Sequence, residues 1–105
     1  MSQLITVITS VPSEDEAKAI AQQLVQSKLV ASAQIFPITS IYSWQGQTCE
    51  DSEFQLQLKT VASQYRDVAE TIVTMHSYEV PEVYTIATDN AYQPYAQWIV
   101  ENSKG

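Results

Sequence analysis

A chain of 105 residues, 45% of them apolar, is long enough for one hydrophobic core and suits a single domain over 1–105. The 12 acidic against 5 basic side chains, net −7, exclude a phosphate-reading surface, since Lys18, Lys28, Lys59, Arg66 and Lys104 are scattered. One cysteine, Cys49, excludes an intrachain disulfide, and no apolar run approaches the ~20 residues of a membrane helix. Neither nucleic acid nor membrane is an expected partner, and the cytoplasm is the expected location.

The first ten residues are uncharged and run into a β-rich segment, so they read as a strand over 4–9 and not as a signal peptide. Ser13 and Glu16 fit a capping box, with acids in the first turn that follows. Ala17, Ile20, Ala21, Leu24 and Val25 then recur at helical spacing, which predicts an amphipathic helix over 14–27. Residues 29–44 are strand-like almost throughout, and Gln45-Gly46-Gln47 is a turn. The return strand alternates, with Phe54, Leu56 and Leu58 on one face and Glu53, Gln55, Gln57 and Lys59 on the other.

A second helix is predicted over 63–75, with Tyr65, Val68, Ala69, Ile72 and Met75 inward. Residues 76–82, His-Ser-Tyr-Glu-Val-Pro-Glu, interrupt the pattern. Pro81 lacks a backbone donor and pushes Val80 out of the helical region, so it ends the connection and starts a strand over 83–88. Asp89-Asn90 opens a last helix, with Pro94 in its first turn and Tyr95, Trp98 and Ile99 on one face. The order β-α-β-β-α-β plus one helix is the ferredoxin-like α+β pattern. Only two glycines occur, Gly46 and Gly105, which excludes a Gly-rich phosphate loop.

One length does not suit a monomer. A strand over 29–44 would span roughly 50 Å at ~3.3 Å per residue, whereas a compact domain of this size is roughly 35 Å across. The hairpin must bend, break or project, and Pro37 is the expected break. An exposed hairpin carrying Tyr42, Trp44, Phe54 and Leu56 calls for a partner. Hairpins paired between copies of the chain predict a closed homo-oligomer, with a ring as its symmetry.

The chain resembles the CutA divalent-cation tolerance proteins nearly end to end. The resemblance rests on Lys28-Leu29-Val30-Ala31, Ile41-Tyr42-Ser43-Trp44-Gln45-Gly46, Leu58-Lys59-Thr60, the 76–82 run and Tyr95-Ala96-Gln97-Trp98. It implies a homotrimer of ferredoxin-like subunits, similar in architecture to the PII signalling trimers, with long hairpins packed between subunits. It also implies a link to tolerance of copper and other divalent metals, with Cu(II) as a ligand and no agreed reaction. One departure stands out: where the family usually carries a cysteine after the first helix, this chain has Ser32. Cys49, beside Glu50 and Asp51, does not replace that thiol.

Two uses of the 76–82 run follow. In the first, His76, Glu79 and Glu82 are ligands of Cu(II) or another divalent metal, imidazole with carboxylates making an open site that a neighbouring subunit completes. The plain alternative for His76 is a helix-terminal residue bonded to the last carbonyls. In the second, Trp44, Lys59 and Tyr78 line a cleft between subunits that holds a metabolite or docks a partner, as in a PII-like sensor. Glu79 then pairs with Lys59, or the pair only fixes the loop. Trp44 and Trp98 are expected as interface or core aromatics and Pro81 as structural. With one histidine, no metal-protease or thiol-pair motif and no arginine or glycine in the 10–13 loop, the chain is not expected to be an enzyme, nor to require a cofactor.

Overall fold

Strand β1 (Leu4–Val11) has seven of its eight residues buried, as its unbroken β-branched run requires of a central strand. In the computed structural model, which describes residues 3–104, β1 lies inside a four-stranded antiparallel sheet of order β2-β3-β1-β4. The partners are β2 (Ser32–Trp44), β3 (Gln47–Val61) and β4 (Val83–Ala87). Met1, Ser2 and Gly105, the ends of the expected 1–105 domain, lie outside the described residues. Helices α1 (Glu14–Gln26), α2 (Tyr65–Met75) and α3 (Gln93–Glu101) complete the expected α+β order.

The pairing register sorts the side chains. Val7 opposes Leu58 and Thr9 opposes Leu56, while Ala33 and Ile35 of β2 oppose the same two leucines. These residues share one face, which α1 covers with Ala17, Ile20, Ala21 and Leu24 and α2 with Val68 and Ile72. Full burial of each large aliphatic side chain there contributes about 1.5–3 kcal/mol. A smaller cluster joins Leu4, Ala31 and Val61 to Ile99 of α3. The rest of the opposite face is uncovered, and Phe36, Tyr84 and Ile86 are exposed on it.

The hairpin runs on unbroken. Pro37 pairs with Phe54 in a register that continues to Trp44↔Gln47, so the expected break does not occur. The reason is that β2 is an edge strand, where a missing N–H costs no ladder bond. The turn is Gln45-Gly46, both with positive φ (51° and 77°), the two-residue form that suits strand twist. The arm therefore projects, and the chain measures 45 × 25 × 21 Å.

Several element ends move. Lys28 takes the left-handed conformation (φ 62°) and closes α1 after Gln26, so β2 starts at Ser32 and not at 29. A short 3₁₀ turn, Ala62–Gln64, leads into α2, and Tyr65 and Met75 stay exposed where they were expected inside. β4 stops one residue early, at Ala87. The last helix is capped at Tyr92 with Pro94 in its first turn, not at Asp89-Asn90. Its expected apolar face divides, for Ile99 is buried while Tyr95 and Trp98 stack on each other in the open, ring centres 6.2 Å apart. Trp98 is therefore not a core residue of this chain.

Candidate functional site

Strand β4 pairs with β1 only as far as Thr9↔Val83. The next carbonyl, that of Ser10, is taken by the side chain of His76, whose Nε2 lies 2.8 Å away. On the other side of the ring, Nδ1 accepts the backbone N–H of Tyr78 at 3.1 Å. A carbonyl on Nε2 and an amide N–H on Nδ1 require the neutral Nε2–H tautomer. The side chain is fully buried. His76 thus stands just past α2, in extended conformation, bonded to β1 and not to the last helix carbonyls.

Two further anchors hold the 76–82 segment. Ser13 caps α1 by accepting from the Glu16 N–H, but the Glu16 carboxylate does not return to the cap. It accepts instead from the backbone N–H (2.9 Å) and hydroxyl (3.1 Å) of Ser77. Half of the capping box is formed, and its acid ties α1 to the loop. The Tyr78 hydroxyl donates to Glu53 Oε2 on β3 at 2.5 Å. Burial pushes the Tyr78 phenol above its ordinary value, and the bond to Glu53 and the nearby carboxylate charges add to this. On the hairpin, Tyr42 donates to Asp51 and is pushed up to about 12, chiefly by that bond.

Between loop and hairpin arm opens a cleft of about 500 Å³. Carboxylates Glu53, Glu79 and Glu82, aromatics Tyr42, Trp44 and Tyr78, and the hydroxyl of Ser10 contribute to its lining. Ser10 Oγ donates to Glu82 Oε2 at 3.1 Å. Glu53 is only 8% exposed, yet no basic side chain pairs with it among the described residues.

The expected residues divide accordingly. Trp44, Tyr78, Glu79 and Glu82 line one cleft. His76 does not join Glu79 and Glu82 as a ligand set, because it is buried with both ring nitrogens bonded and offers no lone pair to a metal. Among the described residues no group of three or more His, Cys, Asp or Glu is arranged to hold a metal ion. Lys59 is at the root of the hairpin, opposite Ser32 and Thr6, and donates to Gln34 at 2.7 Å. Six residues separate it from Glu53 along β3, about 20 Å of extended chain. The expected Lys59–Glu79 pair therefore does not form within one chain. Burial lowers the Lys59 ammonium's pKa from its ordinary value. Ser32 and Cys49 are likewise away from the cleft lining, Cys49 opposite Tyr42 on the arm. Pro81 sits in the irregular stretch just before β4, as expected of a junction residue.

Sequence reasoning missed Ser10 and Glu16 and gave Glu53 no role beyond the polar face of its strand. Nothing local marks them, since each acts on a residue at least 25 positions away.

A family model described as CutA1 divalent ion tolerance protein matches residues 5–102. The chain belongs to this family. The CutA divalent-cation tolerance protein of Thermus thermophilus is 38% identical over 98 residues, 92% of this chain and 95% of that one. The human protein CutA is 38% identical over 89 residues, 84% of this chain, which spans only about half (50%) of that relative's length. A solved structure from Archaeoglobus fulgidus, described as a periplasmic divalent cation tolerance protein CutA, superposes with TM-score 0.94 at 31% identity, covering 96% of this chain and 99% of that one. The CutA1 fold is thus that of this chain, and the family is one of cation tolerance, not of known enzymes. No helix among the described residues is long and apolar enough to cross a membrane.

Proposed function

We propose that the chain is one domain that assembles as a homotrimer and binds a divalent metal ion at the carboxylate-lined cleft, contributing to tolerance of such ions without catalysing a reaction. The observation that carries this reading is the meeting of Glu53, Glu79 and Glu82 around one cleft that no lysine or arginine lines. Glu79 and Glu82 are the ligands this chain offers, and a neighbouring subunit or water completes the set. His76 positions the loop. With both nitrogens engaged it is no free general base, which supports a binding role over catalysis. What supports the trimer is the uncovered sheet face with Phe36, Tyr84 and Ile86, and the projecting arm with Ile41 and Trp44 exposed. A single free thiol suits a reducing compartment, and we place the protein in the cytoplasm.

The test is a Cu(II) titration of metal-free protein followed by electron paramagnetic resonance, with mass measured in solution. Expected are a particle of three 11.8 kDa chains and one Cu(II) per chain in mainly oxygen coordination. The signal should be lost in Glu79→Gln/Glu82→Gln and kept in His76→Ala. Binding that ignores the double substitution, or nitrogen coupling that disappears in His76→Ala while the oligomer survives, overturns this assignment of ligands.

A second reading, a PII-like sensor whose cleft holds a small metabolite, is favoured by the size of the cleft. About 500 Å³ with three aromatic walls falls within the roughly 300–1,000 Å³ typical of small-molecule pockets and far exceeds the need of a bare ion.

A further inference from the structure

We infer that the cleft between the 76–82 loop and the hairpin arm takes an organic polyamine, a flexible aliphatic chain bearing two or more ammonium groups. The inference rests on the small-molecule reading of the cleft and gives its ligand a chemical class.

The first argument is an unbalanced charge. Glu53 is more than nine-tenths buried and faces the cleft. One of its oxygens accepts from Tyr78, and the other has no donor among the described residues. A carboxylate removed from water without a cation is costly, and the cost is relieved when a ligand brings the positive charge. Glu79 and Glu82 add two more carboxylates, again with no basic side chain in the lining. The upward push that acidic neighbours give Tyr42 and Tyr78 reports the same negative field.

The second argument is spacing. A metal ion needs donors that converge on one point within about 2.0–2.6 Å, and no such group of three is present among the described residues. Carboxylates distributed around a cleft of about 500 Å³ match charges distributed along a molecule. The third is the wall. Tyr42, Trp44 and Tyr78 present ring surfaces that attract ammonium groups and pack against methylenes. An inorganic cation uses only the carboxylates, an anionic metabolite is repelled by them, and a neutral one leaves Glu53 uncompensated. A polyamine uses carboxylates and aromatics together.

The test is isothermal titration calorimetry of the assembled full chain with spermidine, with ATP as the anionic comparison at equal ionic strength. Expected is one spermidine per cleft, weakened at least tenfold in Glu53→Gln and in Glu82→Gln and several-fold in Trp44→Ala. Glu79→Gln, at an exposed position where folding is not at stake, should also weaken binding, whereas Glu14→Gln on the outer face of α1 should not. Absence of spermidine binding, or binding indifferent to Glu53, Glu79 and Glu82, overturns the inference. Saturable ATP binding without spermidine binding overturns the polyamine class and leaves the small-molecule reading standing. Failure of both ligands removes both.

Discussion

Replacing His76 by Phe separates a positioning role from a ligand role. Phenylalanine keeps a planar ring of similar shape but removes both ring nitrogens. The Ser10 carbonyl, in a residue buried at the end of β1 beyond the reach of β4, loses its donor. The Tyr78 N–H loses its acceptor. A buried acceptor left unpaired costs about 1–3 kcal/mol, and the loop amide, nearer to water, falls at the low end of that range. Apolar contacts of the new ring offset little, because the imidazole is already fully enclosed. The expected destabilisation is about 2–4 kcal/mol. Guanidinium unfolding at fixed chain concentration measures it, the concentration being held because assembly contributes to apparent stability. The slope with denaturant should be unchanged. His76→Gln, whose amide can still donate to Ser10, should fall between wild type and His76→Phe. A loss below about 1 kcal/mol in His76→Phe would falsify the account of the buried bonds.

Three further outcomes follow from the same geometry. Thr9 is fully buried on the helix-covered face with Oγ1 unbonded, so the near-isosteric Thr9→Val should raise stability by about 1 kcal/mol, and a loss in chemical denaturation would show that the hydroxyl has a partner. Lys28 ends α1 in the left-handed region, so Lys28→Gly should stabilise by about 0.5–1 kcal/mol, and a fall in midpoint refutes the strain. Tyr42 and Tyr78 both keep their protons to higher pH when folded than the ordinary 10.0 of a free phenol. The unfolded chain therefore loses these protons first, and their stabilisation, complete below pH 10, should decline as pH rises from there toward 12. The decline should shrink in Tyr42→Phe/Tyr78→Phe, and equal pH profiles would refute it.

The strands and helices were legible because their signals are periodic. Alternation at Phe54, Leu56 and Leu58 and helical spacing at Ala17, Ile20 and Leu24 each placed a core face correctly. Pro37 misled because proline breaks only a strand whose N–H is needed, and edge position follows from sheet order, which no local window contains. Tyr65, Met75 and Trp98 misled because apolar character does not say whether the burying partner belongs to the same chain. At the site, the 76–82 run was marked by its composition, and the cleft positions of Trp44, Tyr78, Glu79 and Glu82 follow from it. The role of His76 was not legible, since its two bonds are set by where β4 stops pairing with β1. Glu16 carried a correct signature for a use the fold assigns elsewhere.

The three anchors have a consequence for binding. His76 on Ser10, Ser77 on Glu16 and Tyr78 on Glu53 fix three successive loop residues to β1, α1 and β3. Pro81 then limits the conformations left to Val80. Glu79 and Glu82, between and just beyond these restraints, are presented to the cleft with little left to order. Side-chain and loop ordering otherwise subtract from affinity, at about 0.5–1.5 kcal/mol per immobilised side chain. A chain that holds its histidine inside, away from any ligand, can thus still make ligand affinity depend on it. Loosening the loop through His76 should weaken whatever cation the cleft takes, without removing a single atom that touches it.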